Sequence, residues 1–149
     1  MVMTRKQLLQ KIDATRVKSA IENAERRTSG EVVISVAPLF WGSVEKAAQK
    51  AFVRLGVANT TEHNGVMIFV VPSRRQFTVL GDSGIHAKVG NGFWESVAAQ
   101  LSEHFQKGNF TEGLVGAIEV IGEQLAAHFP YDPATDVNQL SDNVDFGSR

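Results

Sequence analysis

The sequence predicts an α/β fold, a three-layer α/β/α sandwich around a mixed, mostly parallel sheet of about four strands. Three observations predict it. Residues 31–37 form a β-branched run (EVVISVA), and residues 66–71 are continuously apolar (VMIFVV). Segments with apolar residues at three- and four-residue spacing stand before, between and after them. A strand, a helix and a second buried strand in that order make a right-handed crossover with parallel strands, and such a sheet needs helices over it.

Taken in order, residues 5–27 carry Leu8, Leu9, Ile12, Val17, Ala20, Ile21 and Ala24 at helical spacing. Asp13 or Thr15 is placed to cap a second segment there, and Ser29-Gly30 ends it. Glu31–Ala37 reads as a strand stopped by Pro38. Ser43 is a candidate N-cap for a helix whose apolar face is Val44, Ala47, Ala48, Ala51, Phe52 and Leu55, with Gly56 at its C-terminal end. After a polar loop, Val66–Val71 lies between Gly65 and Pro72 and reads as a central strand buried on both faces. Ser73-Arg74-Arg75 turns the chain into Gln76–Leu80, giving a hairpin. Gly81–Gly92 reads as a glycine-rich loop with a short turn at Ile85–Val89. Phe93, Val97, Leu101 and Phe105 stack along a helix that ends at Gly108. Thr111 caps the last helix, with Leu114, Ile118, Ile121 and Leu125 inward and Pro130 closing it. The expected core is Val33, Ile34, Val66, Ile68, Val70, Val79, Phe105, Leu114 and Ile118. Residues 1–130 form one domain; residues 131–149 are polar, lack periodicity, and are expected to be a loosely ordered tail dispensable for folding.

Composition removes several function classes. The 149 residues carry a net charge of −1 with acids and bases interspersed, so nothing marks a nucleic-acid partner. No cysteine is present, which excludes disulfides, thiolate metal sites and cysteine nucleophiles. The opening MVMTRKQLLQKID is too charged for a signal peptide, and the longest apolar run falls far short of the ~20 residues of a membrane helix. The expectation is a cytoplasmic chain without membrane insertion.

The stretch most suggestive of chemistry is Gly81-Asp82-Ser83-Gly84, directly after a strand. It reads either as a ligand loop or as a turn in which Asp82 caps its own backbone. It matches neither a dinucleotide fingerprint nor a Walker motif. Glu31 opens the first strand, Asn64 precedes the second, and Asp82 follows the third, which runs antiparallel to the second. All three therefore fall at one edge of the sheet, an oxygen-rich set of the kind a hard divalent cation takes. That edge is the amino end of the parallel strands, opposite the usual ligand crevice. His86 shares the loop and is a candidate ligand or base, or simply a surface residue. Neither HExxH nor GxSxG occurs. Trp41 and Trp94 are too few for a base-stacking platform, and Arg26-Arg27 and Arg74-Arg75 read as solvated surface.

Four segments, SGEVVISV (29–36), HNGVMIFVV (63–71), RRQFTVLGDSGI (74–85) and HFQKGNFTEGLVGAIEVIGEQLAAHFP (104–130), together resemble the TPM domain over about residues 15 to 130. The family is named for thylakoid lumen, photosystem II repair and nematode acetylcholine-receptor regulator proteins. The pattern is most similar to its bacterial stand-alone branch. The resemblance implies an α/β/α sandwich. It also implies acid phosphatase activity in some members, binding of calcium or another divalent ion in several, and roles in assembly or repair of membrane complexes in others. Many members carry a membrane anchor, and this chain is expected to carry none. Two carboxylates of the family's metal loops are missing, since Gly56–Asn59 holds no acid and Ile85–Gly90 reads IHAKVG. Two readings follow. The preferred one is a non-catalytic domain that assists assembly or repair of a complex with another protein and binds a divalent cation, calcium, weakly through Asp82, Glu31 and Asn64, with Ser83 and His86 as further loop candidates. The alternative is a divalent-metal-dependent acid phosphatase in which Asp82 holds the metal and His86 serves as acid.

Overall fold

The computed structural model describes residues 10–134 and 140–146. Helix α1 (Ala14–Glu25) starts at Asp13, whose carboxylate accepts the Arg16 amide at 3.1 Å. Strand β1 (Glu31–Val36) leads through a loop to α2 (Val44–Arg54), which Ser43 caps by accepting the Lys46 amide at 3.2 Å. Strands β2 (Gly65–Val71) and β3 (Gln76–Gly81) form the hairpin, and α3 (Ser83–Gln106) and α4 (Phe110–His128) complete the fold. The expected segment at Leu8 and Leu9 lies outside the described residues.

Sheet order is β1-β2-β3, with β1 parallel to β2 and β2 antiparallel to β3. The sheet is thus mixed, with one pair of each kind rather than mostly parallel, and it has three strands among the described residues rather than about four. A fourth strand's place beside β1 is taken by the segment Leu140–Phe146, which pairs through one residue only. The Asp145 amide donates to the Ile34 carbonyl at 2.9 Å, and the Val36 amide donates to the Asp145 carbonyl at 2.7 Å.

Alternation along the strands divides the core in two. Val32, Ile34, Val36, Val66, Ile68 and Val70 pack with α1, α3 and α4, while Val33, Met67, Phe69 and Val71 pack with α2 and Val57. Every residue of β1 and β2 is buried, as expected of a central strand and a covered neighbour. Eight of the nine expected core residues are buried, and Val79 on β3 is partly buried against the first cluster.

Three expectations are corrected. The Gly81–Gly92 loop is helix: α3 begins at Ser83 and is broken only at Gly90, whose φ of 74° leaves the helical region. Its glycines hid a helical turn whose stability comes from packing and capping rather than propensity. Thr111 does not cap α4; Asn109 precedes that helix, and the Thr111 hydroxyl accepts the Asp13 amide at 3.0 Å instead. The tail is not loose over residues 140–146. Leu140 packs on the α2 side, and Val144 and Phe146 on the other. Arg54 grips the Asp145 carboxylate with both guanidinium nitrogens at 2.7 and 3.3 Å, and the Ser35 hydroxyl adds a bond at 2.7 Å. Val137 lies outside the described residues.

Candidate functional site

The antiparallel register sets Gly81 opposite Val66, so the end of β3 and the start of β2 share one edge of the sheet. The Asp82 amide donates to the Gly65 carbonyl at 2.9 Å and ties the two turns together. Asp82 is the N-cap of α3. One carboxylate oxygen accepts the Ser83 amide at 2.8 Å, and the other lies 3.1 Å from Nδ1 of His63. The His63 carbonyl accepts the Gly84 and Ile85 amides at 2.8 and 3.2 Å, so it satisfies first-turn donors that a helix leaves unpaired.

Packing explains the flanking glycines. A Cβ on Gly84 would lie 2.3 Å from the Glu62 carbonyl oxygen, and one on Gly81 would lie 2.3 Å from the Trp94 ring. Capping and the contact with His63 explain the acid between them. The Asp82 side chain is 16% exposed and that of His63 57%, so the pair sits at the surface with the carboxylate on its inner side.

Asn64 is buried at the adjoining turn. Its amide donates to the Thr60 hydroxyl at 3.2 Å and its Nδ2 to the Ser29 hydroxyl at 3.2 Å, while Ser29 donates to Glu62 at 2.8 Å. Its Oδ1 is buried and accepts no hydrogen bond from the described residues. Such an acceptor is expensive to leave unmade.

Glu31 reaches this edge through its backbone, its amide donating to the Asn64 carbonyl at 3.4 Å. Its buried carboxylate accepts the Leu140 amide at 2.9 Å and so engages the C-terminal segment. Beside it, half-buried Glu25 at the end of α1 accepts the Val32 amide at 2.9 Å. Burial first, then a hydrogen bond with Asp142 and the charge of Glu31, push the Glu25 carboxyl up to about 10. At neutral pH Glu25 is therefore a neutral acid.

The structure thus joins the turns that carry Asp82 and Asn64 and gives Glu31 a second set of partners. Ser83 contributes its amide to the cap. His86 is exposed, and its Nδ1 accepts the Trp94 indole N–H at 3.0 Å. Among the described residues, no group of three or more His, Asp or Glu side chains is placed to hold a metal ion. His63, Glu62 and Ser29 join this site although the sequence pattern assigned them to loops and not to the ligand set. The adjacency of His63 to Asn64-Gly65 was a usable signal, because a residue beside one turn must face the other once the hairpin register is drawn.

These features define a mixed α/β domain in which a Gly-Asp-Ser-Gly helix start closes over an Asn-Gly strand start. The chain belongs to the TPM domain family, whose model (TPM_phosphatase) matches residues 2–124. It is similar to the BA42 protein of the psychrophilic bacterium Bizionia argentinensis, seen by NMR, with 31% identity, a TM-score of 0.83, and coverage of 97% of this chain and 95% of that one. Two further solution structures share the fold. The N-terminal domain of a P. gingivalis protein is 19% identical at a TM-score of 0.62, covering 83% of this chain and 92% of that one. The N-terminal domain of cg2496 from Corynebacterium glutamicum is 14% identical at 0.59, covering 74% and 70%. No match is found among curated proteins. Among the described residues no helix is long and apolar enough to cross a membrane.

Proposed function

We propose that the chain is a non-catalytic TPM domain that assists assembly or repair of a protein complex, and that it carries one weak divalent-cation site at the paired turns, with Asp82 and Asn64 as ligands. The observation that carries the cation site is the Asn64 Oδ1, a buried carboxamide oxygen without a donor among the described residues, one residue from the carbonyl that accepts the Asp82 amide. A hard cation takes such oxygens together with a carboxylate. Glu31 adds negative charge to the same edge from inside the core. Binding is weak, on the order of 10⁻⁴–10⁻³ M, because one carboxylate replaces the several of a tight cage and must exchange His63 for the ion. The non-catalytic reading is supported by how the reactive groups are spent. His86, the candidate acid, is held by Trp94, whose indole N–H its Nδ1 accepts. A phosphomonoesterase needs a metal or cationic clamp on the transferring group and an activated nucleophile.

Calcium titration followed by amide NMR tests the site. Shifts concentrated at residues 63–65 and 81–86, weakened in Asp82→Asn and strengthened in His63→Ala, are expected. Shifts elsewhere, or an unchanged affinity in Asp82→Asn, rule the turns out. Assay on p-nitrophenyl phosphate with and without EDTA tests the other half. Chelator-sensitive turnover that Asp82→Asn abolishes establishes the acid phosphatase instead.

A further inference from the structure

At the opposite edge of the sheet, where β1 and β2 end, the loop between β1 and α2 holds Trp41 out at 91% exposure. The loop beneath it is fixed. Phe40 packs edge-on against Phe69 with ring centres 6.4 Å apart, and the Arg74 guanidinium sits 5.3 Å over the Phe40 ring. Arg74 also donates to the carbonyls of Phe40 and Gly42 at 3.3 and 2.9 Å, bracing both sides of Trp41. An indole presented on a braced loop gains from burial without a large ordering cost.

Cations outnumber acids around it. Arg75 bonds the Gln106 carbonyl at 3.0 Å, which brings the C-terminal end of α3 and the exposed Lys107 to this edge, and Lys46 stands in the first turn of α2. With Arg74 these are four cations, answered by Glu45 and by Glu103, one turn before Lys107. The remaining groups here cancel in sign, Lys11 against Asp13 and Arg16 against its ion-pair partner Glu112. Asp82 and Glu62 lie at the far edge, with Arg26 and Arg27 between α1 and β1.

We infer that this edge is a docking face for an anionic lipid surface, with Trp41 seated among the headgroups and Lys46, Arg74, Arg75 and Lys107 facing the lipid charge. Tryptophan favours the interfacial zone, where its ring is apolar and its N–H stays wet. Basic side chains near an anionic leaflet add attraction that salt screens. A single aromatic at a loop tip ringed by spread cations suits a flat, yielding charged surface. No helix needs to enter the bilayer.

Co-sedimentation of the full chain with vesicles decides it. Binding is expected to phosphatidylcholine vesicles containing about a third phosphatidylserine, lost in high salt and on pure phosphatidylcholine. Trp41→Ala, checked for intact folding by circular dichroism, weakens binding about tenfold, and Lys46→Glu with Lys107→Glu weakens it further. In a Trp94→Phe background the remaining indole emission shifts to the blue on binding. Protein that stays in the supernatant with anionic vesicles at low salt overturns the proposal, as does equal binding by Trp41→Ala. Trp41-dependent capture of an acidic protein without vesicle binding also overturns it, and assigns the face to a protein.

Discussion

Replacing Glu25 by Gln should stabilise the protein above neutral pH and leave it unchanged in acid. Glu25 accepts the Val32 amide and shares a hydrogen bond with Asp142, with Glu31 nearby, so its proton is held until about pH 10. In the unfolded chain the same carboxyl loses its proton near its ordinary value of 4.5. Between these values the unfolded chain binds fewer protons than the folded one, so the Glu25 contribution is fully present below pH 4.5 and declines as pH rises towards 10. At ~1.4 kcal/mol for each pH unit, the interval up to pH 8 sets a ceiling of about 5 kcal/mol. The carboxyl is only half-buried, so solvent screening reduces this to about 2–4 kcal/mol. Glutamine keeps the shape, donating from its amide to Asp142 and accepting from Val32, and carries no proton to lose. Urea denaturation of both proteins at pH 4 and pH 8 reads the difference directly, with matching midpoints in acid and a higher midpoint for Glu25→Gln at pH 8. Parallel stability curves across that range, or a less stable variant at pH 8, would refute the reasoning.

Other outcomes follow from the same contacts. Gly84→Ala should cost about 1–3 kcal/mol, because the new methyl meets the backbone carbonyls of Glu62 and His63 rather than a movable side chain; a chemical melt checks it. Ile68→Ala in the fully buried middle of β2 should destabilise by about 2–5 kcal/mol, and a change below about half a kcal/mol would show that the core closes around the gap. Truncation after Tyr131 should lower the melting temperature by several degrees, since it removes the partners of Arg54, Ser35 and Glu31 and the packing of Leu140, Val144 and Phe146. An unchanged melting temperature would return the tail to the dispensable role its composition suggests.

What the sequence revealed tracks the range of the forces involved. The Asp13 and Ser43 caps are local, each deciding one bond three residues away, and both stand where their residue types place them. The runs of β1 and β2 are legible because continuous burial demands continuous apolar side chains. The loop carrying Asp82 was placed at the correct edge, since register follows once the hairpin is drawn, but its helix was missed. Four glycines between 81 and 92 lower local propensity, and beside the local Asp82 cap the carbonyl that takes the Gly84 and Ile85 amides belongs to His63, some twenty residues earlier. The Leu140–Phe146 segment was illegible for a related reason. It has no periodicity because it binds through single residues, and its partners Glu31, Ser35 and Arg54 lie about a hundred residues away.

That segment has a consequence for the chain's behaviour in company. In a parallel strand, alternate residues point their amides and carbonyls away from the partner, so Val32, Ile34 and Val36 offer theirs to whatever lies beside β1. Here the Glu25 carboxyl takes the Val32 amide, and Asp145 takes the Ile34 carbonyl and the Val36 amide. An uncovered, largely apolar edge of this kind is a template for intermolecular strand addition. The Asp145 ion pair with Arg54 therefore acts as a guard against self-association. Charge-reversing Arg54 to Glu should show itself first as concentration-dependent aggregation, appearing below the temperature at which the monomer loses its fold.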